Sequence, residues 1–348
     1  MRCFLRSIAQ KEVGMKAVRL DRPGAATIVD IDLVYASPGN VLLKIEMVGM
    51  CGTDLNTFRG RNPMVAFPRV IGHEIAATVV SHGDDLAAGT AVTVSPYTEC
   101  GYCSACLRGR FNACVSNETM GVQREGAMTE FVAVPRNKLY PANLSLRELC
   151  LVEPLTVGFH AVVRGRVTPE DTVAVFGCGG IGLGAIAACA FKNANTIAID
   201  VDPSKLEIAR KAGAHHVINT KTESLHERLQ LVTGGRGPDV MIEAIGLPET
   251  FRSCVEEVSY TGRVVYVGYA KEPVSYETRL FVQKELDILG SRNALPEDFR
   301  EVIRMLEARR FPVDDAIAAV VSMDEVGRLL SEWSASPGKF TKILVKIH

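Results

Sequence analysis

From Met15 to about Leu149 the apolar residues come in short β-type runs, "NVLLKIEMV", "EIAATVV", "TAVTVS" and "MTEFVAV", divided by turns that carry glycine and proline. This half of the chain predicts an irregular β-domain. After Glu153 the pattern changes to six apolar runs, "TVAVFG", "NTIAID", "HHVIN", "PDVMIEAIG", "GRVVYVG" and "LDILGS", with helical segments between them. Strands alternating with helices predict a parallel sheet covered on both faces. Pro203 and Gly213 bracket the helix "PSKLEIARKAG", proline just inside the start and glycine at the end. From about Ala294 the helical patterns "LPEDFREVIRMLEAR" and "MDEVGRLLSEW" and the strand pattern "FTKILVKI" are expected to fold back on the first domain.

A chain of 348 residues is long enough for two cores. Hydrophobic residues make up 47% and charged residues 23%, as in an ordinary soluble globular protein. The net charge of -1 and the lack of basic blocks beyond pairs such as Arg309-Arg310 argue against nucleic acid or an anionic membrane as partner. Small molecules or further subunits are expected instead. Arg2, Arg6, Lys11 and Glu12 interrupt the apolar character of the first fourteen residues, so a signal-peptide core is not expected and a cytoplasmic location is. The uncharged stretch Thr172 to Phe191 is long enough to span a bilayer, and Gly180 and Gly184 form a G-x-x-x-G. Its five glycines would weaken a continuous helix, whereas a strand, a tight turn and a helix start all use them.

Four of the ten cysteines, Cys100, Cys103, Cys106 and Cys114, crowd into "CGYCSACLRGRFNAC" with the spacing C-x2-C-x2-C-x7-C. Four thiolates within fifteen residues of a reduced chain point to a closed, tetrahedral structural zinc that leaves no position for substrate. An iron–sulfur cluster is the rival reading, but the ferredoxin pattern places proline after its last cysteine, where this chain has Val115.

In "VAVFGCGGIGLG", Gly177, Gly179 and Gly182 form G-x-G-x-x-G after a strand and at a helix start. Glycines there let the backbone approach a pyrophosphate, which the helix N-terminus stabilises. Asp200 ends the next strand 23 residues after Gly177, where a carboxylate would meet ribose hydroxyls and repel the extra phosphate of NADP. No basic residue follows it at once, the next residues being Val201 and Asp202, so NAD is expected.

Cys51 stands where the run "NVLLKIEMV" gives way to "CGTDLN", and alone it reads as a buried structural thiol. His73 and Glu74 follow in "GHE", and Glu153 in "EPLTVGFHA". Together they supply one thiolate, one imidazole and two carboxylates, the mixed donors of an open zinc site.

"CGTD", "GHE", the four-cysteine stretch, "EPLTVGFHA" and "GCGGIG" occur in the order that resembles the zinc-dependent medium-chain dehydrogenases/reductases, over nearly the whole chain from Met15. Glutamate in "EPL" is similar to the polyol, threonine and sugar-acid branch. The resemblance implies a GroES-like β-barrel domain at 15–152, a doubly wound Rossmann NAD-binding domain at 153–293 and a C-terminal part at 294–348 completing the first, with 1–14 an extension. It implies that Cys51, His73 and Glu153 bind or border a catalytic zinc, and that Glu74 is a neighbour able to enter its coordination sphere. Thr53 would contact the substrate oxygen. Thr156, Val267, Arg292, Gly180 and Ile181 would join Gly177, Gly179, Gly182 and Asp200 at the cofactor. His160 is left as a core histidine.

Many relatives read CGTD-x-H, whereas this chain has Asn56, which neither donates nor accepts a proton by titration near neutral pH. Arg59, Arg61 and Arg69 are candidates to hold a substrate carboxylate. "GSRNALPEDF" resembles dehydrogenases of sugar acids. The expected reaction is therefore hydride transfer from a secondary alcohol of a polyol or sugar acid, L-galactonate first, to NAD in a homodimer or homotetramer. L-threonine or a simple alcohol is the alternative substrate. A non-enzymatic NAD-binding sensor is the alternative of another class.

Overall fold

A computed structural model describes residues 14–80, 86–338 and 340–348. The expected N-terminal extension therefore lies, all but Gly14, outside the described residues. The first half forms strands β1 (Met15–Arg22), β2 (Ala25–Ile31) and β3 (Asn40–Met50), helix α1 (Gly52–Phe58), then β4 (Arg69–Val70), β5 (Glu74–Val79), β6 (Ala91–Val94), β7 (Phe131–Pro135) and β8 (Leu139–Pro141). Helix α2 (Leu146–Arg164) leads into β9 (Thr172–Phe176), α3 (Gly180–Phe191), β10 (Asn195–Asp200), α4 (Pro203–Lys211), β11 (His216–Asn219), α5 (Leu225–Thr233), β12 (Val240–Glu243), α6 (Pro248–Glu257), β13 (Arg263–Tyr266), α7 (Arg279–Gln283) and β14 (Asp287–Gly290). The chain ends with α8 (Pro296–Glu307), α9 (Val313–Ala316), β15 (Ala319–Ser322), α10 (Val326–Ala335) and β16 (Ile343–Lys346).

β3 is the spine of the first domain. Val41, Leu43, Ile45 and Met47 alternate inward, and the strand pairs with β5, β7 and β16 in a seven-stranded sheet. The expected fold-back is antiparallel pairing of β16 on β3, with Ile343 opposite Met50. The six apolar runs of the second half form a parallel sheet in the order β11-β10-β9-β12-β13-β14. Strand order reverses between β9 and β12, with Phe176 beside Glu243, and ligands of such sheets bind at the carboxyl ends flanking that reversal.

Helix α2 starts at Leu146, before the 152/153 boundary expected from sequence, and belongs to both units. Ser145 caps it: its hydroxyl accepts from the Glu148 amide at 3.3 Å, and the Glu148 carboxylate accepts from the Ser145 amide at 2.8 Å. Leu149, Val152 and Leu155 are buried on it, each stabilising the fold by about 1.5–3 kcal/mol. Gly184 of α3 lies so close to α2 that a Cβ there would sit 2.8 Å from the Leu155 carbonyl oxygen. The small residues of α3 thus serve helix packing, and no helix among the described residues is long and apolar enough to cross a membrane.

Candidate active site

Three backbone devices bring the expected metal ligands together. Cys51 lies at the junction of β3 and α1, where the fully buried Asp54 carboxylate accepts from the Cys51 amide at 2.9 Å and the Gly72 amide at 3.4 Å, holding two segments to one point. Gly72 has φ +96°, the left-handed region that glycine adopts without strain, and delivers His73 and Glu74 into the site. Glu74 then pairs with Gly49 in the β3–β5 register. The ligand atoms of Cys51, His73 and Glu74 lie within 4.8 Å of one another.

Lys342, just before β16, was not singled out from sequence. Its Nζ donates to both Glu74 carboxylate oxygens, at 2.5 and 2.7 Å, and to the Met50 carbonyl at 3.3 Å. It also approaches the glycine turn, lying 3.9 Å from where a Gly180 Cβ would be. The signal was a lysine opening the apolar run "KILVKI", but its partner is 268 residues away.

Glu153 reaches the same cleft from α2, where its carboxylate accepts from the Tyr97 hydroxyl. Burial pushes the Glu153 carboxyl above its usual range, opposed by His73, and pushes the Tyr97 phenol well above its own, so Tyr97 stays a donor. Glu153 is outside the close three-ligand group that Glu74 completes.

The three-ligand site suits a borderline-soft cation. It offers sulfur, nitrogen and oxygen donors, and His73 Nδ1 is buried without a hydrogen bond, 3.9 Å from Asp54 Oδ1. Burial alone would lower the basicity of His73, but Asp54, Cys51 and Glu153 outweigh it and raise its pKa well above the ordinary value. The ring therefore sits in a field that attracts positive charge.

The four-cysteine lobe fits a second ion. Cys103 Sγ lies 3.5 Å from Cys106 and 3.9 Å from Cys114, and Cys100 lies 4.0 Å from Cys106. Tetrahedral zinc with Zn–S bonds of about 2.3 Å needs sulfurs about 3.8 Å apart, and a polynuclear cluster needs more room. Without metal, amides of Cys106 and Val115 lower the Cys103 thiol to about 6, while burial and neighbouring sulfurs push Cys106 up to about 12.

The glycine turn is built for close approach. Gly177 has φ +92°, and a Cβ on Gly182 would fall 1.7 Å from the Gly177 carbonyl oxygen. Around Gly179 no atom lies within 4 Å of a Cβ position, leaving open the cradle that a dinucleotide pyrophosphate would fill. Asp200 is pinned at its mouth, accepting from the amides of Cys178 at 2.7 Å, Val201 at 2.7 Å and Asp202 at 3.0 Å.

A cavity of about 590 Å³ joins the two halves, with Cys51, Thr53, His73, Glu74 and Glu153 from one side and Ile181, Val267 and Arg292 from the other. Thr156 does not line it: it is fully buried, with its hydroxyl on the Glu153 carbonyl at 2.5 Å. Asn56 is exposed on α1 and also lies outside the lining. None of the three candidate arginines lines it. Arg59 binds Ser334, Arg69 pairs with Glu125 at 2.8 Å, and Arg61 is exposed, whereas Arg292 does reach the cleft. His160 is a core histidine, 2% exposed between Asn112 and Asp298.

A β-domain carrying thiolate, imidazole and carboxylate around one point, joined to a Rossmann sheet, defines a zinc-dependent dehydrogenase. Residues 37–144 match the alcohol dehydrogenase GroES-like domain and residues 180–308 the zinc-binding dehydrogenase domain. The chain is 34% identical to L-galactonate-5-dehydrogenase of Escherichia coli strain K12, over 80% of this chain and 83% of that one. It is 32% identical to sorbitol dehydrogenase of Bacillus subtilis, over 79% and 81%. Among solved structures it is similar to an E. coli CFT073 alcohol dehydrogenase complexed with NADH, with TM-score 0.88 and 27% identity over 96% of this chain and 99% of that one. It is also similar to a zinc-binding dehydrogenase of Sinorhizobium meliloti bound to NADP, with TM-score 0.88 and 29% identity over 96% and 99%. The chain belongs to the zinc-type alcohol dehydrogenase family.

Proposed function

We propose that this protein is a cytoplasmic, NAD-dependent dehydrogenase that oxidises a secondary alcohol of a polyol or sugar acid, with L-galactonate the first substrate to test. One observation carries the reading: the Cys51, His73 and Glu74 group opens into the cavity that Ile181 and Val267 line from the dinucleotide side. Cys51, His73 and Glu74 would hold a zinc ion, which would supply Lewis acidity to ease removal of the alcohol proton. Thr53 faces the same cavity, and its hydroxyl orients the substrate oxygen and passes its proton toward solvent. Asn56, exposed and outside the cavity, takes no part, so water completes that path. Glu74 is engaged by Lys342, while Tyr97 holds Glu153 at the cavity wall. Arg292, expected from sequence at the cofactor, lines the same cavity, and its guanidinium is the candidate to receive a substrate carboxylate.

Asp200 supports NAD over NADP, because a carboxylate already fixed by three backbone amides opposes an added phosphate. A homo-oligomer is in keeping with β14, which ends the parallel sheet with Ile288 exposed. The test is NADH formation across aldonates, alditols, L-threonine and simple alcohols. Turnover of L-galactonate or related polyhydroxylated secondary alcohols is expected, and turnover confined to L-threonine or ethanol-like alcohols would refute the substrate class.

A further inference from the structure

The four-cysteine lobe is joined to the cleft by hydrogen bonds, most of them made by Asn112. This residue lies in the turn Phe111–Ala113, two positions before Cys114, and is 2% exposed. Its amide nitrogen donates to the Arg292 carbonyl at 2.7 Å and faces His160 Nε2 at 2.9 Å. Nε2 must accept there, so the His160 proton sits on Nδ1, which donates to Asp298 Oδ2 at 2.9 Å. The same Asp298 oxygen accepts from the Leu295 amide at 2.7 Å and holds the start of α8. From the loop itself, Asn293 Nδ2 donates to the Asn112 carbonyl and to Asn117 Oδ1, both at 3.3 Å.

The segment tied down in this way is Ser291 to Asn293, between β14 and α8, and all three residues line the cleft. Two features bear on whether the contact sets position or merely fills space. Asn112 Oδ1 is buried without a partner, a cost that an apolar side chain of similar size would avoid. Asn293 has φ +51°, the left-handed region that asparagine tolerates more readily than other residues with a side chain, so the loop turns at the residue that bonds the Asn112 carbonyl.

We propose that Asn112 is a positioning residue through which the four-cysteine lobe sets the backbone of Ser291–Asn293, and so the place of Arg292 in the cleft. The proposal rests on reading the cleft as the dinucleotide and alcohol site. A metal closing Cys100, Cys103, Cys106 and Cys114 then orders the lobe that carries Asn112, and its influence reaches the reacting cleft without touching substrate.

The experiment uses the full-length, zinc-loaded Asn112→Ala variant and reads amide hydrogen exchange, NADH binding by fluorescence and steady-state kinetics. Exchange at 291–293 should quicken while that at 177–182 is unchanged. The NADH dissociation constant and the alcohol KM should rise about tenfold, with kcat within about threefold of the parent and zinc content unaltered. Asn112→Asp, which keeps the size but sets a carboxylate against the Arg292 carbonyl, should do at least as much. Asn117→Ala removes one of the weaker bonds and should move the same quantities by a smaller step, which keeps the test alive should the Asn112 variants fail to fold. Unchanged exchange at 291–293 overturns the proposal, as does a lowered Tm with unchanged binding and KM. Exchange needs no turnover, so a parent protein that failed to bind NADH would sink the functional reading and leave the loop result legible.

Discussion

Gly49 and Glu74 face each other across adjacent strands, and the Glu74 carboxylate occupies the space beside Gly49: a Cβ at position 49 would lie 2.1 Å from Glu74 Oε2. The absent side chain lets a charged group lie flat over β3 and reach both Lys342 and the metal-ligand group.

Gly49→Ala should therefore push the Glu74 carboxylate out of place while sparing the four-cysteine lobe. We expect kcat/KM to fall about tenfold or more, as expected when a group that supports the metal is displaced. Metal analysis should show weakened retention of one zinc and full retention of the other. Unaltered activity and metal content would show that the site tolerates a shifted Glu74.

Lys342 and Glu74 form a buried ion pair, so removing one partner leaves the other charge unsatisfied. Lys342→Met should destabilise the protein by about 3–5 kcal/mol, and adding Glu74→Gln should recover much of that loss. Urea unfolding of both variants checks this. The pH dependence follows from the direction of the shift: burial alone would lower the Lys342 pKa, but Glu74 and then Cys51 outweigh it and raise it. A raised lysine contributes stability that is complete below its unfolded value of about 10.4 and is lost as pH rises through the folded value. The parent should accordingly lose stability in the alkaline range faster than the double variant.

Two zinc ions per chain are expected. Cys51→Ala should leave one and lower turnover by about a thousandfold, the worth of several kcal/mol of Lewis-acid stabilisation. Cys103→Ser should instead release the other ion and lower Tm. A Cys51→Ala enzyme with near-parental turnover would remove Cys51 from the catalytic group.

Asp200→Ser should shift the ratio of kcat/KM for NAD over NADP toward NADP by about tenfold, since it removes the charge that opposes a phosphate. Steady-state kinetics with both cofactors decides it. A parent that prefers NADP would overturn the reading of Asp200.

What could be read from sequence is chemistry closed within a short span. The four-cysteine lobe occupies fifteen residues, so spacing alone defines the donors. The glycine turn likewise depends on the positive φ of Gly177 and the missing Cβ of Gly182, both local needs that residue type encodes. The change from β-type runs to alternating strands and helices was legible because strand and helix periods differ. Cys51, His73 and Glu74 were legible as donor types.

Their grouping was decided by tertiary structure. Gly49 meets Glu74 through the β3–β5 register, and pairing of β16 with β3 brings Lys342 onto the same carboxylate. Tyr97 holds the Glu153 carboxylate in the same cavity but outside the close group of Cys51, His73 and Glu74, and packing of α1 turned Asn56 to solvent. Arg59 and Arg69 were drawn to Ser334 and Glu125, while Arg292 came to the cavity on a loop bound to Asn112. Each outcome depends on strand register or on partners remote along the chain. Local periodicity carries no record of such pairings, because it specifies which face a residue occupies and not which distant residue will stand opposite it.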